Sequence, residues 1–286
     1  MNKLSVIVSV IFCALASIAN AQETPAKQWE DPYATGFNKY SVRPIHESDI
    51  MYKKTLIRAL DLREKQNLPL FSRNREFSRL VIDATVAGLI TPYANDSLDN
   101  GTQLSMDDFN DALIMPSDQP SYSPEDTLMM FQNEDYSYRA SGGGDKFFPT
   151  DIYQLEIKEE WLFDKQRSRQ YFDIVSITLF IPADKNIKGI QYVLASYSYK
   201  ELCEKLFKDN PKAIWFNPEN EREHKNLADA FDLRLFSSYI IKVSNPKDQY
   251  LTDIYGGDQQ KGIMASQWAA FELLEYEHNL WEFQFH

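Results

Sequence analysis

The chain has 286 residues and a formal net charge of -12 at pH 7. A chain this acidic is unsuited to nucleic acid or an anionic lipid surface as a general partner, although local basic patches stay open to it. With 43% hydrophobic and 14% aromatic residues it can bury a real core, and its two cysteines exclude a disulfide scaffold.

Residues 1–21 read as a signal peptide. Lys3 supplies the charged start, and Leu4 to Ile18 is an apolar run shorter than the ~20 residues of a membrane span. Ala19-Asn20-Ala21 is an A-x-A cleavage site before Gln22. Cys13 lies behind Phe12, where a lipobox needs a small residue, so no lipid is expected. The mature chain would then be exported, with Cys203 as its one thiol and no intrachain disulfide. Residues 22–42 form an extended leader with Pro25 and Pro32. Trp29, Tyr33, Phe37 and Tyr40 make it too aromatic for a disordered tail; Trp29, Tyr33 and Phe37 suit either core filling or an interface anchor.

Residues 43–69 predict a helix. Pro44 precedes it, Ser48 is a candidate N-cap, and Asn67 and Pro69 stop it. Ile50, Ile57 and Leu60 fall on one helical face, and Asp49–Lys53 and Asp61–Lys65 have i,i+4 spacing. A second helix comes next, capped by Ser72 or Asn74. Its stripe is Phe77, Leu80, Val81, Ala84 and Gly88, so an N-terminal helical hairpin is expected. Ser105-x-x-Asp108 opens a short helix carrying Phe109 and Leu113. Pro116, Pro120 and Pro124 then interrupt any regular element. Gly142-Gly143-Gly144 is taken as the joint between a helical part, 43–140, and a β-rich part, 145–286.

From Ile152 the hydrophobic period becomes 2. Tyr153, Leu155, Ile157, Trp161 and Phe163 line one strand face, and 164–168 is a charged turn. Further strands are expected over 171–181, 190–197, 213–216 and 235–243. Ser198-x-x-Glu201 and Asn226 would cap intervening helices. The last long helix carries Met264, Trp268, Phe271, Leu274, His278, Trp281 and Phe285, a stripe expected to lie on the sheet. The fold class is α+β, with a mostly antiparallel sheet of about five strands covered by this helix.

Four stretches carry a resemblance. The first is Arg43-Pro44-Ile45, Met51-Tyr52-Lys53-Lys54, Asp61-Leu62-Arg63-Glu64-Lys65 and Asn67-Leu68-Pro69. Then come Glu160 to Ser168; Trp215 to Asn220 with Phe231 to Ile240; and Glu277-His278-x-Leu280-Trp281. In this order the set resembles the GldN/PorN family of the type IX secretion and gliding machinery of Bacteroidota. Tyr52 stands where that pattern has Trp, and residues 94–149 and 190–200 match poorly. The resemblance implies a periplasmic structural protein. It would pair with a GldK/PorK-like outer-membrane lipoprotein in a ring beneath the outer membrane and meet the periplasmic part of a GldM/PorM-like subunit. Asp96-Ser97-Leu98 and Asp126-Thr127-Leu128 also resemble the O-glycosylation site of exported proteins of that phylum, with Ser97 and Thr127 as acceptors.

No pattern for catalysis or a cofactor stands out. The histidines, His46, His224, His278 and His286, have no ligand spacing with one another or with Cys203. Gly142 to Lys146 lacks P-loop spacing, and Leu98 occupies a ligand position of the EF-hand-like run 96–107. Glu159 and Glu160 are adjacent, hence on different faces, and read as solvated charge rather than an acid–base pair. The basic residues Arg43, Lys53, Lys54, Arg58 and Arg63 make a candidate strip for an acidic partner. The alternative function is a glycan-binding module or glycoside hydrolase, which a deep pocket with two carboxylates on facing strands would favour.

Overall fold

A computed structural model describes residues 32–98, 102–115, 146–186 and 189–282, with Gln259 and residues 280–282 described by their backbone alone. The signal-peptide expectation, Trp29, Thr127 and the glycine joint lie outside these residues.

The stretch expected to be the first helix is a strand, β1 (Ile50–Asp61). It pairs antiparallel with β2 (Gln154–Asp164): Lys54 lies opposite Trp161, Leu56 opposite Glu159, Arg58 opposite Ile157 and Leu60 opposite Leu155. Met, Lys, Leu, Ala and Arg are good helix formers, but partners on both sides outweigh that local preference. Among the described residues there is therefore no N-terminal helical hairpin. Ser48 does not cap a helix; His46 Nδ1 accepts from the Ser48 N–H and caps a single 3₁₀ turn, Glu47–Asp49. Asp49 and Lys53, expected to pair with each other, bond instead to Gln166 and Glu160.

β3 (Arg169–Ile181) and β4 (Tyr192–Ser198) come after β2, and β7 (Tyr239–Val243) closes the far side. The order is β4-β3-β2-β1-β7, antiparallel throughout, so β1 has a strand partner on each side. β5 (Ile214–Trp215) and β6 (Lys225–Asn226) form a separate small ladder.

The helices α1 (Phe77–Val86), α2 (Met106–Ala112), α3 (Tyr199–Glu201, continued as a π-helix over Leu202–Phe207) and α4 (Leu227–Asp232) contribute to the main core. Phe77, Val81, Phe109, Leu202, Phe207 and Phe231 pack there with Leu60, Leu155, Ile157, Ile177 and Leu179 of the sheet. Ser105 caps α2 and Asn226 caps α4, as their spacing predicts. Ser198 makes no side-chain cap, and the Glu201 carboxylate accepts from Thr91 and Lys205.

α5 (Leu251–Ile254) leads into α6 (Gln259–Glu282), which packs at β7. It builds a second, smaller cluster: Leu56, Trp161 and Ile240 of the sheet with Ala269 and Leu273 of the helix. Tyr276 stacks on Tyr52 at 4.6 Å and meets Trp161 edge-on at 5.4 Å. The α+β class, the five-stranded antiparallel sheet and the long C-terminal helix stand as expected.

Candidate interaction surfaces

Strand geometry divides the basic strip. Lys53 and Lys54, being adjacent, point to opposite faces of β1. Arg58 is not on a wet face. It lies on the same face as Leu56 and Leu60, between the two apolar clusters, and its Nε donates to Glu159. Glu159 is fully buried. Arg234, in a left-handed conformation at φ 53° just after α4, reaches the same carboxylate through Nη1 at 2.8 Å and Nη2 at 3.3 Å. Both guanidinium groups also lie over the Phe172 ring, Arg234 at 4.7 Å from its centroid. A buried carboxylate shared by two arginines is costly to desolvate, and removing either partner would leave buried charge uncompensated. The expectation of a solvated Glu159 is thus overturned. Its sequence signal is positional: it interrupts the alternating apolar series Leu155, Ile157, Trp161.

Lys53, Arg43 and Arg63 are also engaged within the chain. On the opposite sheet face Lys53 Nζ lies 3.3 Å from Glu160 and 4.3 Å from the centre of the Tyr33 ring. Glu160 Oε2 accepts from the Tyr33 hydroxyl at 2.8 Å and from Asn38 Nδ2 at 3.1 Å. Burial, followed by the Glu160 charge, pushes the Tyr33 hydroxyl pKa far up. The leader thus folds back on the sheet here, and Tyr33 is a core residue. Phe37 stays partly exposed, edge-on to His46 at 4.9 Å. Arg43 pairs with Asp232 at 2.6 Å. Arg63 pairs with Asp61 at 2.9 Å and stacks over Tyr153 at 3.4 Å. Asn67 is buried and joins the first stretch of the resemblance to the third: its Nδ2 donates to Asp61 O and Ser237 O, and its Oδ1 accepts from Ser237 N at 2.7 Å.

In two clefts burial raises the pKa of a carboxylate. One, of about 550 Å³, runs along β3 and is lined by Arg43, Arg167, Asp173, Tyr199, Asp232 and Arg234, among others. Burial raises the Asp173 pKa to about 6, with Glu160 adding to the effect and a Ser41 hydrogen bond opposing it. Asp232, however, is tied to Arg43 and accepts from the Tyr199 hydroxyl at 3.3 Å. The other cleft, about 270 Å³, holds Glu156 beside Tyr239 and Tyr250. Burial and then Asp96 raise the Glu156 pKa to about 7, while Lys242 opposes them. Among the described residues no cluster of three or more His, Cys, Asp or Glu could hold a metal ion. Ser97 has its hydroxyl 2.6 Å from Asn95 Oδ1, in an exposed turn.

The largest departure is α6. The stripe expected on the sheet faces solvent: Met264, Trp268, Phe271 and Leu274 are each 60% to 70% exposed, and Ile263 is also exposed. The sheet-side face is Gly262, Ala265, Ala269, Leu273 and Tyr276, at the same helical spacing. Gly262 fits so closely that a Cβ there would lie 2.6 Å from Thr252 Cγ2. Small residues let α6 approach α5 and the sheet, and its large ones are left outside. His278 is exposed, and the Trp281 and Phe285 side chains lie outside those described.

Fold and surfaces together define an antiparallel α+β protein in which Arg43, Lys53, Arg58 and Arg63 pair internally and whose longest helix turns an apolar row outward. Residues 45–282 match the family model described as gliding motility associated protein GldN, and the chain belongs to that family. It is accordingly a component of the gliding-motility and type IX secretion machinery. No curated protein matches the chain. Among the described residues no helix is long and apolar enough to cross a membrane.

Proposed function

We propose that this protein is a non-enzymatic assembly component of that machinery, acting through surfaces in the periplasm. It pairs with a GldK/PorK-like outer-membrane lipoprotein in a ring held at the inner face of the outer membrane. The ring meets the periplasmic region of a GldM/PorM-like subunit. The observation carrying this reading is the outward row of α6. Four large apolar side chains in line on one helix, with the opposite face already packed, are what a docking surface needs. The carboxylates that a hydrolase would use are less well suited. Of the carboxylates lining the larger cleft, Asp232 is tied to Arg43 and Asp173 is hydrogen-bonded by Ser41.

The test is co-purification with the lipoprotein and imaging of rings, using Phe271→Glu combined with Leu274→Glu. The variant should keep its circular dichroism and melting temperature yet lose ring formation. Rings at parental yield would overturn the reading.

A further inference from the structure

The chemistry around the α6 row indicates what covers it. We propose that this face takes a basic amphipathic helix from another protein; the inference rests on the docking reading above and adds the partner's chemistry.

Shape comes first. Met264, Trp268, Phe271 and Leu274 have spacings of four, three and three, so they form one ridge about 15 Å long. Beside Ile263 the ridge opens into a cleft of about 480 Å³, lined by Tyr239, Ile241, Leu251, Thr252 and Gln267 among others. A ridge beside a groove is the surface that an apolar helix stripe fills, with side chains seated in the groove.

Charge then selects the occupant. At 100° per residue Glu275 falls in the same arc as Met264 and Phe271, and Glu272 falls beside Trp268; both are exposed. Lys261 lies near the same side, but its ammonium is 3.7 Å from Asp258. The flank that meets a partner is therefore acidic. A second copy would set acid against acid on a chain already at -12. This chain's own residues 116–145 are also acidic, with Arg139 their single basic residue, and residues 22–31 carry Glu23, Glu30 and Asp31 against Lys27. An anionic membrane would be repelled by the same glutamates. A helix with Lys or Arg beside its apolar stripe meets both requirements.

The probe is a fluorescein-labelled synthetic helix of about 18 residues, with Leu at i, i+3, i+4 and i+7 and Lys at the flanking positions. A twin peptide carries Glu in place of Lys. Fluorescence anisotropy is read with the full chain at low salt. The Lys peptide should bind at least about tenfold tighter than the Glu peptide. Phe271→Ser with Leu274→Ser should abolish binding, and Glu272→Gln with Glu275→Gln should reduce the preference to less than about threefold. Equal binding of the two peptides, or parental binding by the Phe271/Leu274 variant, overturns the proposal. So does sedimentation showing that the chain dimerises through this face, with loss of the dimer in the same variant. If the peptide arms fail while Phe271→Glu with Leu274→Glu still blocks ring formation, the docking reading stands and only the basic-helix assignment falls. If that variant forms rings normally, the docking reading itself falls.

Discussion

β1 and α6 lie against each other and invert the same rule. β1 carries charge that goes inward: Arg58 bonds Glu159 of the neighbouring strand, where Arg234 completes the triad. α6 carries Met264, Trp268, Phe271 and Leu274, which face outward. A fixed pattern of charge is as well explained by partners inside the fold as by a partner protein. A periodic apolar row, in turn, need not be the buried one when small residues run along the opposite face of the same helix.

The sharpest way to break this comparison is at the triad. Arg58→Glu would place a second carboxylate beside fully buried Glu159. It should cost about 3–5 kcal/mol, the range for disrupting a buried ion pair. Urea unfolding of the purified chain measures it. A near-parental midpoint would mean that Arg58 is an interface residue after all, as the basic strip first suggested.

Leu273→Ala tests the packed side of α6. Its side chain is buried against Leu56, Trp161 and Ile240, so truncation should cost about 2–4 kcal/mol. A neutral result would show that the helix is not seated where it is described.

A smaller effect belongs to the sheet face away from the triad. Glu156 has its pKa raised to about 7 from an ordinary 4.5, chiefly by burial. The folded state therefore holds this proton more tightly than the unfolded one. Ionised Glu156 costs stability above about pH 7, and the cost fades as pH falls from 7 towards 4.5. Glu156→Gln should raise stability at pH 8 by about 1–3 kcal/mol and flatten the rise on acidification. Asp173, raised to about 6, has the same sign in a lower window, so Asp173→Asn separates the two. Stability that falls on acidification from pH 7 to 5 in the parent, unchanged in Glu156→Gln, would contradict this.

Much of the fold was legible where period and caps agree. The period-2 run 153–163, the Ser105 and Asn226 caps and the Phe77 stripe are local signals that the structure keeps. β1 was not legible, because its residues favour helix and its identity comes from β2, about a hundred residues away. The triad was out of reach for the same reason: Arg58, Glu159 and Arg234 are adjacent only once β1, β2 and the turn after α4 assemble. The face of α6 was ambiguous in the sequence. Gly262, Ala265, Ala269 and Leu273 repeat as regularly as Met264, Trp268, Phe271 and Leu274, and side-chain size alone favoured the wrong series. The motifs of the resemblance meet one another inside the fold. Asn67 joins Ser237, and Arg234 joins the carboxylate next to Glu160.

The smallest expected effect sharpens the comparison most. Phe271 and Leu273 are two residues apart on one helix, and by type alone Phe271 would be the costlier to truncate. Its side chain, however, stands in water, and so does that of Trp268. Exposed side chains that touch little change stability within about 0.5 kcal/mol when replaced. Phe271→Ser and Trp268→Ser should therefore leave the melting temperature where it was, and removing exposed apolar surface should improve solubility. Leu273→Ala, on the same helix, should melt early. Thermal unfolding of the three variants side by side decides it. If Phe271→Ser were destabilised as much as Leu273→Ala, the row would be covered by this chain itself, and the outward face of α6 could not be a docking surface.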